Sequence, residues 1–258
     1  NEVELAAIYA SVFQRLGITV EIRDNSRKLL AALAEACGGS DKMTDITVAI
    51  DKLDKIGIDK VKEEILQRGL TEAQWEKIAQ FLQVSAGEQS PVVSNTDKLA
   101  AIGRLLGDSD QAKKGLAELQ FVLDHDAPAS LVLDFTLARG LNYYTGIIFE
   151  VRAVGVQMGS IGGGGRYDDL TGLFGVPNIP GVGISFGVDR IYDVMEELKL
   201  FPAEVEVGTE VLFFNLGAAE SKAAFRLAQK LRAAGIRAEL FHENSKFDKQ
   251  FKYAEKKG

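Results

Sequence analysis

Cysteine occurs once, as Cys37, and histidine only twice in a chain of 258 residues. One thiol excludes an internal disulfide, and one thiol with two imidazoles leaves too few ligands for a structural zinc site, so any metal is expected to be held by oxygen. No apolar run approaches the roughly 20 residues that a bilayer requires. The opening stretch NEVELAAIYA is acidic and helical in pattern rather than basic and cleavable, which points to a cytoplasmic address and no membrane partner. The phosphate-binding pattern G-x-x-x-x-G-K-[ST] is absent as well. Positive charge is scarce: 30 Lys and Arg face 37 Asp and Glu, a formal charge of -7, so the chain is not coated for nucleic acid. The scarcity is uneven, because residues 205–258 carry ten basic against seven acidic side chains (+3) while residues 1–204 carry twenty against thirty (-10). That tail suits either a small module meeting a polyanion or an ordinary solvated helix face.

Hydrophobic residues make up 46% of the chain, enough for a core in one large or two ordinary domains. Leu5, Ile8, Val12 and Leu16 fall on one helical stripe, and Gly17 stands where a left-handed stop is expected. Ile18, Val20 and Ile22 alternate as a strand; Asn25-Ser26 then caps a helix through Leu29, Leu30 and Leu33 to Gly38-Gly39. Residues 41–124 are helical almost throughout, with a capping box of Thr71 and Gln74 ahead of Trp75, Ile78 and Phe81. Breaks fall at 87–91 and 107–109. This helical stretch reads as an insertion without a catalytic cluster: Cys37 and Trp75 are assigned to packing, and His125 to a helix end. After Pro128 the pattern turns to strands at 131–135, 147–151 and 182–186, with a helix over 188–198 carrying Ile191, Val194, Met195 and Leu198. Phe201-Pro202 makes a boundary. Beyond it, strand 211–215, helix 218–233 and strand 238–241 begin a separate α/β module.

Residues 134–175 place Arg139, the adjacent Tyr143 and Tyr144, four consecutive glycines and Arg166-Tyr167 close together. Buried hydroxyls and guanidinium groups need partners, and a glycine run costs conformational entropy, so a pocket is expected here. Arg139 follows a strand, where it would meet a carboxylate or phosphate in a cleft or form a rim salt bridge. Tyr143 and Tyr144 would project to opposite faces of an extended chain. Asp168-Asp169 would hold Mg2+ or, the preferred assignment, cap a helix. The segment GVGISFG at 181–187 follows G-x-G-x-x-x-G inside a strand, which excludes a dinucleotide turn. Its glycines would let a flat ligand lie on the sheet, and Arg190 in the next helix would reach phosphates or stay solvated.

Together these residues resemble one family. RGLNYYTGIIFEV is similar to the signature R-G-L-D-Y-Y-T-G-x-x-F-E of histidyl-tRNA synthetases, GGGGRYDDL to their G-G-R-Y-D segment, and GVGISFGVDRI to motif 3 of class II aminoacyl-tRNA synthetases. EIRDNSRKLL and ITVAIDKLDKIG resemble segments leading into and through the family's insertion, and the tail resembles the start of its anticodon-binding domain. The resemblance implies an α/β (α+β) fold: a class II antiparallel sheet with a catalytic domain over 1–40 and 128–203, a helical insertion over 41–127, and an incomplete anticodon-binding domain over 204–258. It implies ATP-dependent activation of histidine to histidyl-adenylate and transfer to tRNA(His), with Mg2+ accompanying ATP, by a homodimeric parent protein. Arg139 matches the catalytic arginine beside the α-phosphate and the substrate carboxylate. Tyr143, Tyr144 and Tyr167 fall in the histidine pocket, Arg190 matches the arginine that meets the triphosphate, and Gly183 and Gly187 would flank adenine and ribose. Asn142 stands where Asp is usual, keeping an acceptor without the charge. Motifs 1 and 2 are not in the sequence, so these 258 residues alone are expected not to form the adenylate. The alternative is the family's non-catalytic paralogue, the regulatory subunit of ATP phosphoribosyltransferase, which binds histidine as a regulator; a pseudo-synthetase RNA sensor is a third reading.

Overall fold

In the computed structural model, which describes residues 1–85, 94–125, 127–138, 143–202 and 208–257, the chain opens with helix α1 (Glu2–Arg15). Gly17 follows at φ 71° and stops it as expected. The buried stripe is not the expected one. Ala6, Tyr9 and Phe13 are fully buried, whereas Ile8 is 45% exposed. Burying two aromatic rings removes more apolar surface than the aliphatic stripe one position away. Tyr9 also finds a partner for its hydroxyl, which donates to the Ser185 carbonyl at 3.0 Å, and its ring lies edge-on to Phe149 and Phe186.

The sheet contains β1 (Val20–Ser26), β2 (Leu131–Leu133), β3 (Ile147–Ala153), β4 (Gly162–Arg166) and β5 (Val182–Phe186). Among the described residues its order is β2-β1-β3-β4-β5, with β1 and β2 parallel and every other pair antiparallel. Strand β1 runs on to Ser26, beyond the expected end at Ile22, because Asp24, Asn25 and Ser26 pair in register with Phe149, Ile148 and Ile147. The glycine run is itself a strand, which composition did not indicate. Its lack of side chains lets neighbours come close: a Cβ on Gly164 would lie 2.1 Å from the Gly183 carbonyl oxygen.

Paired residues of antiparallel strands share a face. One face carries Ile22, Asp24, Phe149, Val151, Gly162 and Phe186 and packs against α1. The other carries Arg23, Asn25, Glu150, Arg152, Gly163, Gly165, Gly183 and Ser185.

Ser26 caps α2 (Arg27–Ala36), accepting from the Lys28 amide. Helices α3 (Met43–Ile50), α4 (Leu53–Ile56), α5 (Ile58–Gln67), α6 (Glu72–Gln83), α7 (Asn95–Leu106) and α8 (Asp110–Asp124) follow. The capping box of Thr71 and Gln74 forms at the start of α6. Gly107 breaks the chain at φ 67°, and Ser109 caps α8. The break expected at 87–91 lies outside the described residues. Cys37 and Trp75 are buried in the shared core, and His125 ends α8 with Nδ1 2.7 Å from the Phe121 carbonyl oxygen. After β5 comes α9 (Val188–Glu197), burying Ile191 and Val194.

Asn1–Leu200 form one compact unit and Phe201–Gly258 a second. The second holds β6 (Val211–Phe213), α10 (Ala218–Ala233), β7 (Ala238–Leu240) and α11 (Phe247–Lys257), with β6 and β7 parallel. Gln250 of α11 is fully buried and binds the backbone of Asn215 in both directions, accepting at 2.7 Å and donating at 2.9 Å. No helix among the described residues is long and apolar enough to cross a membrane.

Candidate active site

Three tyrosines converge where the segment before β3 meets the end of β4. The Tyr143 and Tyr144 rings are 4.7 Å apart, and Tyr143 meets Tyr167 edge-on at 6.1 Å. The expectation that Tyr143 and Tyr144 face opposite sides fails, because the chain turns at Tyr143 instead of running extended. The backbone of the cluster is tied at two points: the Thr145 amide donates to the Arg166 carbonyl at 2.8 Å and the Tyr167 amide to the Gly181 carbonyl at 2.7 Å.

Glycine makes room for two of the rings, Tyr144 and Tyr167. A Cβ on Gly165 would lie 2.9 Å from the Tyr144 ring, one on Gly181 would lie 2.2 Å from the Tyr167 ring, and one on Gly183 would lie 3.1 Å from the Tyr167 hydroxyl. Gly163 differs, since its nearest neighbour would be the Phe149 carbonyl oxygen at 3.4 Å. The sheet is therefore most open above Gly163, beside the rings. Burial pushes the Tyr144 phenol well up, and the hydrogen bond that it donates to Tyr143, together with the neighbouring Tyr167, adds to the rise. A neutral phenol donates and accepts, which suits an uncharged nitrogen heterocycle.

Arg166 adjoins Tyr167 in sequence but takes different partners. It shares the face of Gly162 and Gly164, where it pairs with Glu2 of α1 and donates to Asp168 at 3.1 Å. Burial pushes the Glu2 carboxyl up, yet the Arg166 hydrogen bond and charge outweigh it, and the net shift is downward. Asp168 does not cap a helix. It accepts from the Thr145 hydroxyl at 2.9 Å as well as from Arg166, and Asp169 makes no capping bond to the 3-10 helix Leu170–Phe174. The Arg166 guanidinium and the Thr145 hydroxyl outcompete the free amides of so short a helix. Glu2, Thr145 and Gly163 were not singled out by sequence reasoning, since their partners lie far along the chain.

Arg190 lies at the other end of β5, exposed in the first turn of α9, where it donates to the Ser160 carbonyl at 2.6 Å. Gly187, which begins that turn, would place a Cβ 3.4 Å from the Ile161 carbonyl oxygen. Five residues of β5 separate this end from Tyr167, roughly 16 Å at 3.3 Å per residue. Arg139 and Asn142 lie outside the described residues. No group of three or more His, Cys, Asp or Glu side chains able to hold a metal occurs among the described residues.

The family model for histidyl-tRNA synthetase matches residues 2–191, and the model for an anticodon binding domain matches residues 210–258. A histidine--tRNA ligase of Bacteroides fragilis is 50% identical over 258 residues, covering 98% of this chain and 55% of that protein. One of Flavobacterium johnsoniae is 50% identical, covering 100% of this chain and 54% of that protein. The chain thus spans about half the length of these relatives. The crystal structure of histidyl-tRNA synthetase from Nostoc sp. PCC 7120 superimposes with a TM-score of 0.71 at 30% identity, over 100% of this chain and 61% of that one. A Bacillus halodurans structure described as an ATP phosphoribosyltransferase regulatory subunit/histidyl-tRNA synthetase reaches 0.66 at 21% identity, a likeness of fold alone. The sheet is accordingly that of a class II synthetase, and with most of its length matched by one family model, the chain belongs to the histidyl-tRNA synthetase family.

Proposed function

We propose that the protein carrying this chain is a histidine–tRNA ligase. In the first step a carboxylate oxygen of histidine bonds to the α-phosphorus of ATP, and the bond to the bridging oxygen breaks to release pyrophosphate. In the second, the terminal ribose hydroxyl of tRNA(His) attacks the histidyl carbonyl and AMP leaves. The observation that carries this reading is the three-tyrosine cluster at one end of an open, glycine-lined strand pair with Arg190 at the other end. A ligand touching both is elongated, as an aminoacyl nucleotide is.

Tyr143, Tyr144 and Tyr167 take the imidazole. Their hydroxyls would be left unpaired by an apolar isostere, so the wrong amino acid is rejected. Arg139 holds the substrate carboxylate and α-phosphate and stabilises the anionic transition state, a task for a fixed planar cation. Gly183 and Gly187 flank adenine and ribose. Arg190, which donates to the Ser160 backbone carbonyl from an exposed position, exchanges that carbonyl for the triphosphate. Mg2+ accompanies ATP and neutralises phosphate charge. The reading also carries a homodimer, a cytoplasmic location and an anticodon contact by the second unit. That the anticodon-binding model matches residues 210–258 favours the ligase over the regulatory paralogue.

Histidine-dependent exchange of labelled pyrophosphate into ATP by the protein carrying this chain tests the proposal. Exchange that requires histidine and is not supported by phenylalanine is expected. Tight histidine binding without exchange would favour the regulatory paralogue.

A further inference from the structure

The end of β1 and the start of α2 read Asp24-Asn25-Ser26-Arg27, and these residues grip both ends of the segment that carries the tyrosines. On the entry side, the Asp24 carbonyl accepts from the Asp134 amide at 3.0 Å, and the Asn25 side-chain amide donates to the Leu137 carbonyl at 2.9 Å. The Arg27 guanidinium donates to the Ala138 carbonyl at 3.4 Å. On the exit side, the Arg27 backbone amide donates to the Gly146 carbonyl at 2.9 Å. One residue therefore spans from Ala138 to Gly146, the two ends of the stretch holding Tyr143 and Tyr144.

Stability alone is a poor reason for this arrangement. Asn25 is fully buried and Arg27 is 9% exposed, and burying an amide or a guanidinium is costly unless every polar atom is matched. Asn25 is matched, its oxygen accepting from the Ser26 amide at 2.8 Å. Arg27 is not, because its Nε has no partner among the described residues. Arg27 also occupies the first turn of α2, which has no acidic residue, so its cation sits at the positive end of the helix dipole. A methionine or leucine would fill the volume without these costs. What the costly side chains supply is direction, since they reach carbonyl groups that lie outside any strand ladder.

We propose that Asn25 and Arg27 are positioning residues that hold Leu137, Ala138 and Gly146, so that Tyr143 and Tyr144 are presented to the amino-acid substrate in one fixed geometry. The inference rests on the histidine-activation reading above. A loop free to shift by about 1 Å costs an enzyme on the order of a hundredfold in rate.

The test uses the protein carrying this chain, with Arg27→Met, Arg27→Lys and Asn25→Asp. Asn25→Asp keeps the acceptor for Ser26 and turns the donor facing Leu137 into a second oxygen. For Arg27→Met and Asn25→Asp, kcat/KM for histidine in pyrophosphate exchange is expected to fall by roughly ten- to a hundredfold, with KM for histidine raised and KM for ATP within about twofold of the parent. Arg27→Lys, which keeps the charge and one reach to Ala138, is expected to recover part of the loss, and it serves as the readable variant if Arg27→Met does not fold. A merely structural role would lower the active fraction and leave both KM values alone, and that result overturns the proposal. Amide hydrogen exchange supplies a readout that needs no activity: peptides within 137–146 are expected to exchange about tenfold faster in the variants while β3 stays protected. Unchanged protection across 137–146 overturns the clamp even if activity falls. A parent protein without histidine-dependent exchange removes the catalytic role, and the hydrogen-exchange arm then decides the clamp by itself.

Discussion

The glycines of β4 predict a stability pattern that alternates sharply between neighbours. Alanine at Gly164 would put a methyl 2.1 Å from the Gly183 carbonyl oxygen and 2.7 Å from Ile184 Cα, where ordinary contact begins near 3.4 Å. Both obstacles are backbone held in the ladder, so the strands themselves must separate by about 1 Å from a spacing of roughly 4.8 Å. Overpacking of this kind costs about 1–3 kcal/mol, and with no side chain able to yield, the upper end is expected, a fall in Tm of about 6–12 °C. Among the described residues, Gly163→Ala meets the Phe149 carbonyl oxygen at 3.4 Å and nothing nearer. Alanine also has less unfolded-state entropy to lose, worth about 0.4–1 kcal/mol, so this variant should stay within about 1 kcal/mol of the parent. Gly165→Ala is intermediate: it crowds the Ile147 carbonyl oxygen at 2.7 Å and the Tyr144 ring at 2.9 Å. It should destabilise by about 1–3 kcal/mol and raise KM for histidine by about tenfold, because the ring is the part that moves, about 1.4 kcal/mol of binding. Thermal and urea denaturation of the three single variants, with histidine kinetics, measure all of this. Equal stability of Gly163→Ala and Gly164→Ala would refute the close-approach argument, and an unchanged KM in Gly165→Ala would refute the role of Tyr144.

Tyr144→Phe should keep the fold and raise KM for histidine about tenfold, the scale of one lost hydrogen bond to a buried ligand; an unchanged KM would remove the side-chain contact. Arg139→Ala should leave thermal unfolding unaltered and slow histidine-dependent pyrophosphate exchange by about a hundredfold or more, and normal exchange kinetics would rule out its role. Asp24 is fully buried with neither carboxylate oxygen partnered among the described residues, so burial pushes its pKa well above 3.8, and the charges of Glu2 and Glu118 add to the rise against the pull of the Asn25 backbone amide. The fold thus favours the neutral carboxyl. Stability is fullest below the unfolded-state value and declines as pH rises from there toward the folded one. Asp24→Asn lacks that decline, so its Tm relative to the parent should climb as pH rises above about 4, the ordinary range of an exposed Asp. Parallel Tm curves would show that Asp24 does not titrate as the fold requires.

Short-range chemistry was readable from the residues alone. The stop at Gly17, the capping box of Thr71 and Gln74, the strands beginning at Ile147 and Val182 and the helix end at His125 each depend on a few neighbours in the chain. The family was readable too, because RGLNYYTGIIFEV, GGGGRYDDL and GVGISFGVDRI are long and specific strings. Residues 139–142 lie outside the described part, so the position of Arg139 rests on the motif.

Features set by partners distant in the chain were not legible. Four glycines have no hydrophobic pattern and a poor strand propensity, and they become a strand only because β3 and β5 supply the ladder on both sides. Tyr9 and Phe13 displaced the aliphatic stripe of α1 because Phe149 and Phe186 wait on the sheet. Tyr143 turned toward Tyr144 and Tyr167, while Arg166 went to the opposite face to meet Glu2, 164 residues away. Sequence by itself determined which chemical groups are present and which local turns and helices they form, since those energies are local. Tertiary structure alone decided which of those groups share a face, because burial and close approach depend on the strand register and on side chains more than a hundred residues apart.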